Sequence, residues 1–263
     1  MSEHIKIEKS AGVLTLVMAR PEKKNALTDA MYKALADALE ASDGDPETRV
    51  ILIKGEGDMF TAGNDITDFA AANAASANAT GAGAEGPRNV FRFIRALGAI
   101  SKPLVAAVQG RAVGVGTTML LHCDQVILAD NAQLTTPFVN LALVPEAASS
   151  LLLPARIGHI RAFSMFALGE AVGAQDALAW GLASHVVPLD ELNTTAEQIA
   201  VRLAKQPLGA VIATKRLMRD AGQIAERMEV ESAEFTRRLA SPEAQEAFMA
   251  FAQRRAPDFS KFS

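Results

Sequence analysis

"KPLVAAVQGRAVGVGTTMLLHCDQVILAD", residues 102–130, holds two short apolar runs separated by a glycine-rich bend. "PLVAAVQG" and "DQVILAD" lack the polar alternation of a half-wet strand. A strand of a parallel sheet covered by helices on both sides reads this way, because it has no wet face to mark. "RVILIKG", residues 49–55, is a third run of the same kind. Helix-forming sequence lies between successive runs, so right-handed β-α-β crossovers are the simplest connection.

Working outward, "HIKIEKS" and "GVLTLVMA" meet at Ala11-Gly12, which predicts a hairpin. Leu27, Met31, Leu35 and Leu39 then recur every four residues, the period of a helix. Thr28 is placed to cap that helix, with Asp29 in its first turn. From Gly158 onward the chain reads as almost wholly helical, punctuated by Gly181, Pro207 and Pro242. The expected organisation is an α/β core over residues 1–200 and a helical region over 201–263. Leu203, Val211, Leu217, Met228, Phe235, Phe248 and Phe251 make that region apolar enough to pack against a neighbouring subunit. "AAANAASANATGAGAEGP", residues 70–87, has almost no large apolar side chain. Such composition predicts a flexible loop, either a lid or a tolerated surface insertion.

Of the 263 residues, 49% are hydrophobic and 21% charged, with a net charge of −4. That balance offers no basic field for nucleic acid. The apolar runs fall well short of the ~20 residues that span a bilayer, and "MSEHIKIEKS" has no signal-peptide core. The single cysteine, Cys123, excludes an internal disulfide framework and a cysteine-based zinc site. No cluster has metal-ligand spacing. A cytoplasmic protein is the expectation.

A second small-residue stretch, "MFTAGNDITDF" (59–69), follows "RVILIKGEG". Small residues let a backbone approach another group closely, although glycines in either stretch also serve simple turns. With "RPEKKNALTDAM" (20–31), the long stretch from Lys102 to Gly158 and "GLASHVV" (181–187), these segments resemble the enoyl-CoA hydratase/isomerase (crotonase) family. The resemblance runs through nearly the whole chain in family order. It implies a spiral of ββα repeats with a helical C-terminal trimerisation region. Acyl-CoA thioesters are the implied substrates and homotrimers or dimers of trimers the implied assembly. Coenzyme A belongs to the substrate, so no separate cofactor is expected.

The resemblance also implies two backbone N–H donors to a thioester oxygen, at Asn64 and Val115. Val115 stands where many relatives have glycine, which leaves the donor unchanged. The coenzyme A moiety would lie along Lys23, Lys24, Ala62, Gly63 and Ile66. Read without the resemblance, the two lysines are ordinary solvated side chains.

The hydratases of the family use two glutamates. Here those positions are Thr118 and Phe138, neither of which exchanges a proton as a carboxyl does. Eight residues beyond the second lies Glu146, in "LVPEAASS". "TPFVNLALVPEAASS" resembles the peroxisomal-type Δ3,Δ2-enoyl-CoA isomerases, whose catalytic carboxylate sits there. One carboxylate is sufficient for a proton shift from C2 to C4. On composition alone, Pro145 and Glu146 also read as the opening of a helix, with Glu146 favouring its dipole. Hydratase, hydrolase and non-catalytic acyl-CoA-binding readings stand beside the isomerase.

Overall fold

The computed structural model describes residues 2–65 and 88–262. Its main sheet has six strands in the order β1-β2-β3-β4-β6-β9. β1 (Ile5–Ser10) and β2 (Val13–Met18) form the predicted antiparallel hairpin. Ala11 and Gly12 both have positive φ, 50° and 79°, as a two-residue primed turn requires. β3 (Val50–Gly55), β4 (Leu104–Val108), β6 (Gln125–Ala129) and β9 (His185–Val187) continue the sheet in parallel. All five residues of β4 are buried, which is why its sequence shows no alternation.

Side chains from alternate positions feed two cores. Leu14, Leu16, Ile51, Ile53, Leu104 and Ala106 face the larger one. That core also takes Met31, Leu35 and Leu39 of α1 (Asp29–Gly44) and Phe93 and Leu97 of α2 (Arg88–Ala99). Thr28 caps α1 as expected, its hydroxyl accepting from Met31 N at 3.3 Å. On the opposite face, Val50, Leu52, Val105 and Ile127 pack under Leu192, Ala196, Ile199 and Ala200 of α4 (Leu192–Ala204). α3 (Ser149–Ile157) precedes α4, and α5 (Leu208–Met218), α6 (Ala221–Leu239) and α7 (Pro242–Ala252) follow it.

A small second sheet joins β5 (Arg111–Val113), β7 (Gln133–Thr135) and β8 (Val172–Gly173). Thr61 extends its edge by a parallel bridge to Ala112. Three large-sheet strands therefore hand the chain to neighbouring places in the small one: β3 to Thr61, β4 to β5, β6 to β7. That is the ββα spiral, and it brings the two small-residue stretches side by side.

Two of the apolar residues assigned by sequence to a subunit contact lie elsewhere. Met228 and Phe235 are buried in the larger core by α6. Leu217 and Phe251 are exposed, at 87% and 56%, with Met218 beside Leu217 at 82%. The predicted loop at residues 70–87 lies outside the described residues, as does Ile66.

Candidate active site

The first stretch is fixed in place before any substrate is considered. Asn25, fully buried, accepts from Arg20 N at 2.8 Å and donates from Nδ2 to Glu56 O and Met59 O, both at 2.8 Å. Thr61 Oγ1 donates to Asn25 O (2.6 Å) and accepts from Gly63 N (3.1 Å). Leu27 then pairs on either side of Asn64: Leu27 N donates to Gly63 O at 2.8 Å, and Asp65 N to Leu27 O at 2.9 Å. In an extended pairing, successive residues point their backbone groups to opposite sides. Asn64 N therefore faces away from Leu27. The Asn64 side chain is held by the buried Tyr32 hydroxyl, which donates to its Oδ1.

The second stretch is set beside the first by backbone bonds, Thr61 N to Arg111 O (3.2 Å) and Val113 N to Thr61 O (3.1 Å). Gly63 needs to be glycine, because its φ is +85° and a Cβ there would meet Val113 O at 2.8 Å. Gly116 is constrained by space alone, since a Cβ there would lie 2.4 Å from Thr61 Cγ2. A short helix, Val115–Thr118, starts directly after Gly114, so Val115 N has no preceding turn to bond. Among the described residues, neither Asn64 N nor Val115 N donates to a backbone carbonyl.

Both residues line one cavity of about 640 Å³. Lys23, Ala62, Gly63 and Glu146 line it too, so most of the residues picked from sequence meet there. Lys24 does not. Its ammonium turns outward to Asp58, at 2.8 and 3.0 Å, because the left-handed bend at Lys24 and Asn25 separates the two lysines. The apolar wall comprises Phe138, Leu141, Leu143, Phe235, Phe248 and Phe251.

Glu146 is 8% exposed. Burial pushes its carboxyl up to about 7, opposed by a hydrogen bond from Thr118 and reinforced by the nearby Glu231. Thr118 Oγ1 donates to Glu146 Oε1 at 3.0 Å. Sequence reasoning saw Thr118 only as a missing carboxylate; it is the hydroxyl that orients the remaining one. The helix-opening reading of Glu146 is corrected by the backbone. α3 begins at Ser149, and Ala147 and Ala148 between them are left-handed, so Glu146 is outside the helix.

Other polar residues are accounted for structurally. Asp65 lines the cavity but is ion-paired with Arg20 at 2.7 Å. Arg255, at the far end, is held bidentately by Glu246 at 2.5 and 2.9 Å. Burial pushes the Cys123 thiol up to about 12, which makes it inert. Trp180 carries the Arg161 guanidinium 4.7 Å from its ring centroid, a surface stacking contact.

The cavity thus joins two donor-ready amides, an apolar chamber and a buried carboxyl tuned near neutrality. The family model described as enoyl-CoA hydratase/isomerase matches residues 8–261. The 2,3-dehydroadipyl-CoA hydratase of Escherichia coli is 34% identical, over 98% of this chain and 99% of that protein. Enoyl-CoA delta isomerase 2 of Rattus norvegicus is also 34% identical, over 83% of this chain and 55% of that longer protein. A solved enoyl-CoA hydratase/isomerase from Pseudoalteromonas atlantica superimposes with a TM-score of 0.89 at 39% identity, covering 98% of this chain and all of the other. Spiral, amides and sequence agree over the same residues, and the chain belongs to the enoyl-CoA hydratase/isomerase family.

Proposed function

We propose that the protein is a Δ3,Δ2-enoyl-CoA isomerase in which Glu146 is the single acid–base group. The observation that carries this reading is the lining of the cavity. Of the two carboxylates that line it among the described residues, Asp65 is neutralised by Arg20 while Glu146 has only a neutral hydroxyl on one oxygen. Phe138, which by resemblance stands where hydratases carry their second glutamate, lines the cavity with a side chain that cannot hold a water as a carboxylate does.

The steps follow from that arrangement. The thioester oxygen of a 3-enoyl-CoA accepts from Asn64 N–H and Val115 N–H. Thr118 occupies Glu146 Oε1, so Oε2 takes a proton from C2. The electron pair of the C2–H bond moves into the thioester, giving a dienolate whose charge rests on the oxygen. One such preorganised donor is worth about 3–4 kcal/mol. The protonated Glu146 then delivers its proton to C4, the double bond settles between C2 and C3, and the carboxylate is restored. A carboxyl tuned near 7 suits both halves, since it accepts and returns a proton with similar ease.

On this reading Lys23 meets a phosphate of coenzyme A, and Ala62 and Gly63 contact the same moiety; all three line the cavity, which supports the assignment. The acyl chain extends toward Phe235, Phe248 and Phe251. The exposed Leu217 and Met218 suit a subunit contact, within the trimeric assembly that the resemblance implies.

The E. coli relative is a hydratase, and an activated water on Glu146 is the competing reading. Product analysis with 3-enoyl-CoA and 2-enoyl-CoA offered in parallel separates them. The expected result is rapid conversion of the 3-enoyl thioester with little or no 3-hydroxyacyl-CoA from crotonyl-CoA. Efficient hydration of crotonyl-CoA would overturn the assignment. Turnover should fall roughly 10²–10⁴-fold in Glu146→Gln, the usual range for loss of a general base.

A further inference from the structure

Glu146 is presented by a turn that its neighbours do not favour. Ala147 and Ala148 have φ of 62° and 54°. A left-handed residue bearing a Cβ is disfavoured, and here two follow one another, both buried. Strained turns persist only where the surroundings over-determine them.

Two buried side chains do so from opposite directions. His122, on the chain just after the Val115–Thr118 helix, points Nε2 at Ala147 O at 2.8 Å. Arg219, following α5, donates from Nη1 to His122 O (3.0 Å) and from Nη2 to His122 Nδ1. With Nδ1 accepting, Nε2 carries the proton and donates to Ala147 O. Burial, with Arg219 beside it, pushes His122 down to about 3, so it stays neutral wherever the protein is folded and active. From the other side, Glu231 of α6 accepts from Ala148 N at 2.6 Å and from Ser150 N at 2.8 Å. Neither His122 nor Glu231 lines the 640 Å³ cavity.

We propose that Glu231 and His122 are positioning residues, clamping the Ala147–Ala148 turn so that the Glu146 carboxyl is aimed into the cavity. The proposal rests on the reading of Glu146 as the base. It assigns a reason for burying an acid in α6: a neutral side chain could not accept from two backbone amides in the same way. It also explains why the turn tolerates alanine where glycine would be relaxed, since a clamp on both sides removes the alternatives.

Glu231 acts through space as well. Its charge opposes ionisation of Glu146, alongside Thr118, whose hydroxyl favours it. Among the described residues, Tyr32 of α1 also senses Glu146. Arg95 of α2 and Glu229 of α6 border the small void of about 20 Å³ behind it.

The test uses the whole chain with Glu231→Gln, alone and combined with Ala148→Gly, and with His122→Ala, His122→Gln and Glu146→Gln. Isomerisation of 3-enoyl-CoA is followed across pH, and binding of saturated butyryl-CoA is measured in parallel. Glu231→Gln is expected to lower kcat about tenfold to a hundredfold, as misplacement of a catalytic group does, with KM and butyryl-CoA affinity nearly unchanged. The acid limb of its kcat profile should move to lower pH, because the like charge has gone. His122→Gln, which keeps a donor of similar reach, should retain far more activity than His122→Ala. Ala148→Gly relaxes the turn, so adding it to Glu231→Gln should restore folding where that is impaired and recover part of the lost kcat. A loss of folded protein alone would lower kcat without moving the pH limb. An inactive Glu146→Gln beside a Glu231→Gln of wild-type kcat and unshifted limb overturns the clamp, as does the absence of any gain from Ala148→Gly. If Glu146→Gln also keeps its turnover, the base reading falls instead.

Discussion

Replacing Glu146 by glutamine should stabilise the protein at alkaline pH while removing its activity. The sign follows from proton binding. The Glu146 carboxyl sits at about 7 in the folded chain and near the ordinary 4.5 once unfolded. Between those values the folded state holds a proton that the unfolded chain releases, so stability declines as pH rises through the window. The cost is absent below about 4.5 and complete above about 7. At about 1.4 kcal/mol per pH unit, the rise from 4.5 to about 7 corresponds to roughly 3 kcal/mol. Glutamine has nearly the same volume, and its carbonyl oxygen can still accept from Thr118. Chemical denaturation of wild type and Glu146→Gln at one protein concentration would measure the difference at pH 5 and pH 8. Fixed concentration matters because assembly contributes to apparent stability. The variant should be more stable by about 2–3 kcal/mol at pH 8 and by much less at pH 5. Equal stabilities at pH 8 would mean that Glu146 is not desolvated, and the account of its basicity would fail.

Thr118→Val removes the hydrogen bond that favours ionised Glu146, so the acid limb of the kcat profile should shift to higher pH; an unmoved limb would show that Thr118 does not govern the base. Lys23→Ala should raise KM for acyl-CoA with kcat little changed, whereas Lys24→Ala should leave KM near wild type. Their difference, checked by steady-state kinetics, follows from the cavity position of one and the Asp58 pairing of the other. Light scattering at micromolar concentration should report a trimer or a multiple of it, and Leu217→Arg should shift that equilibrium toward monomer; a wild-type monomer would refute the proposed packing.

The legible parts of this chain were those written in short range. Ala11-Gly12, the Thr28 cap and the fully apolar strands each act through near neighbours, and each formed as its sequence implied. Asn64 and Val115 were singled out by the resemblance alone; the glycines beside them mark a close backbone approach, which the contacts of Gly63 and Gly116 bear out, but say nothing of what the amides face. Long-range partnerships left no such mark. Glu231 looks like any acid in a charged helix, and only folding brings it to Ala148, 83 residues away. Lys23 and Lys24 are indistinguishable in sequence, and a left-handed bend decides which of them faces the cavity. Pro145 before Glu146 imitates a helix start, but two left-handed alanines intervene. Met228 and Phe235 looked like subunit-contact residues because apolar periodicity does not say which surface a helix will meet.

The parallel bridge between Thr61 and Ala112 has an evolutionary consequence. It sets side by side the two main-chain donors that the proposed mechanism uses, so on that reading their chemistry is encoded by fold rather than by codon. Nineteen of the twenty amino acids carry the same N–H, and at position 115 only proline deletes it. Drift of side chains at such a site is nearly silent, provided the neighbouring glycines remain. The carboxyl has no such protection, since one substitution removes it or moves it to another wall of the cavity. Descendants of this scaffold would therefore keep the power to hold an enolate while exchanging what they do with it.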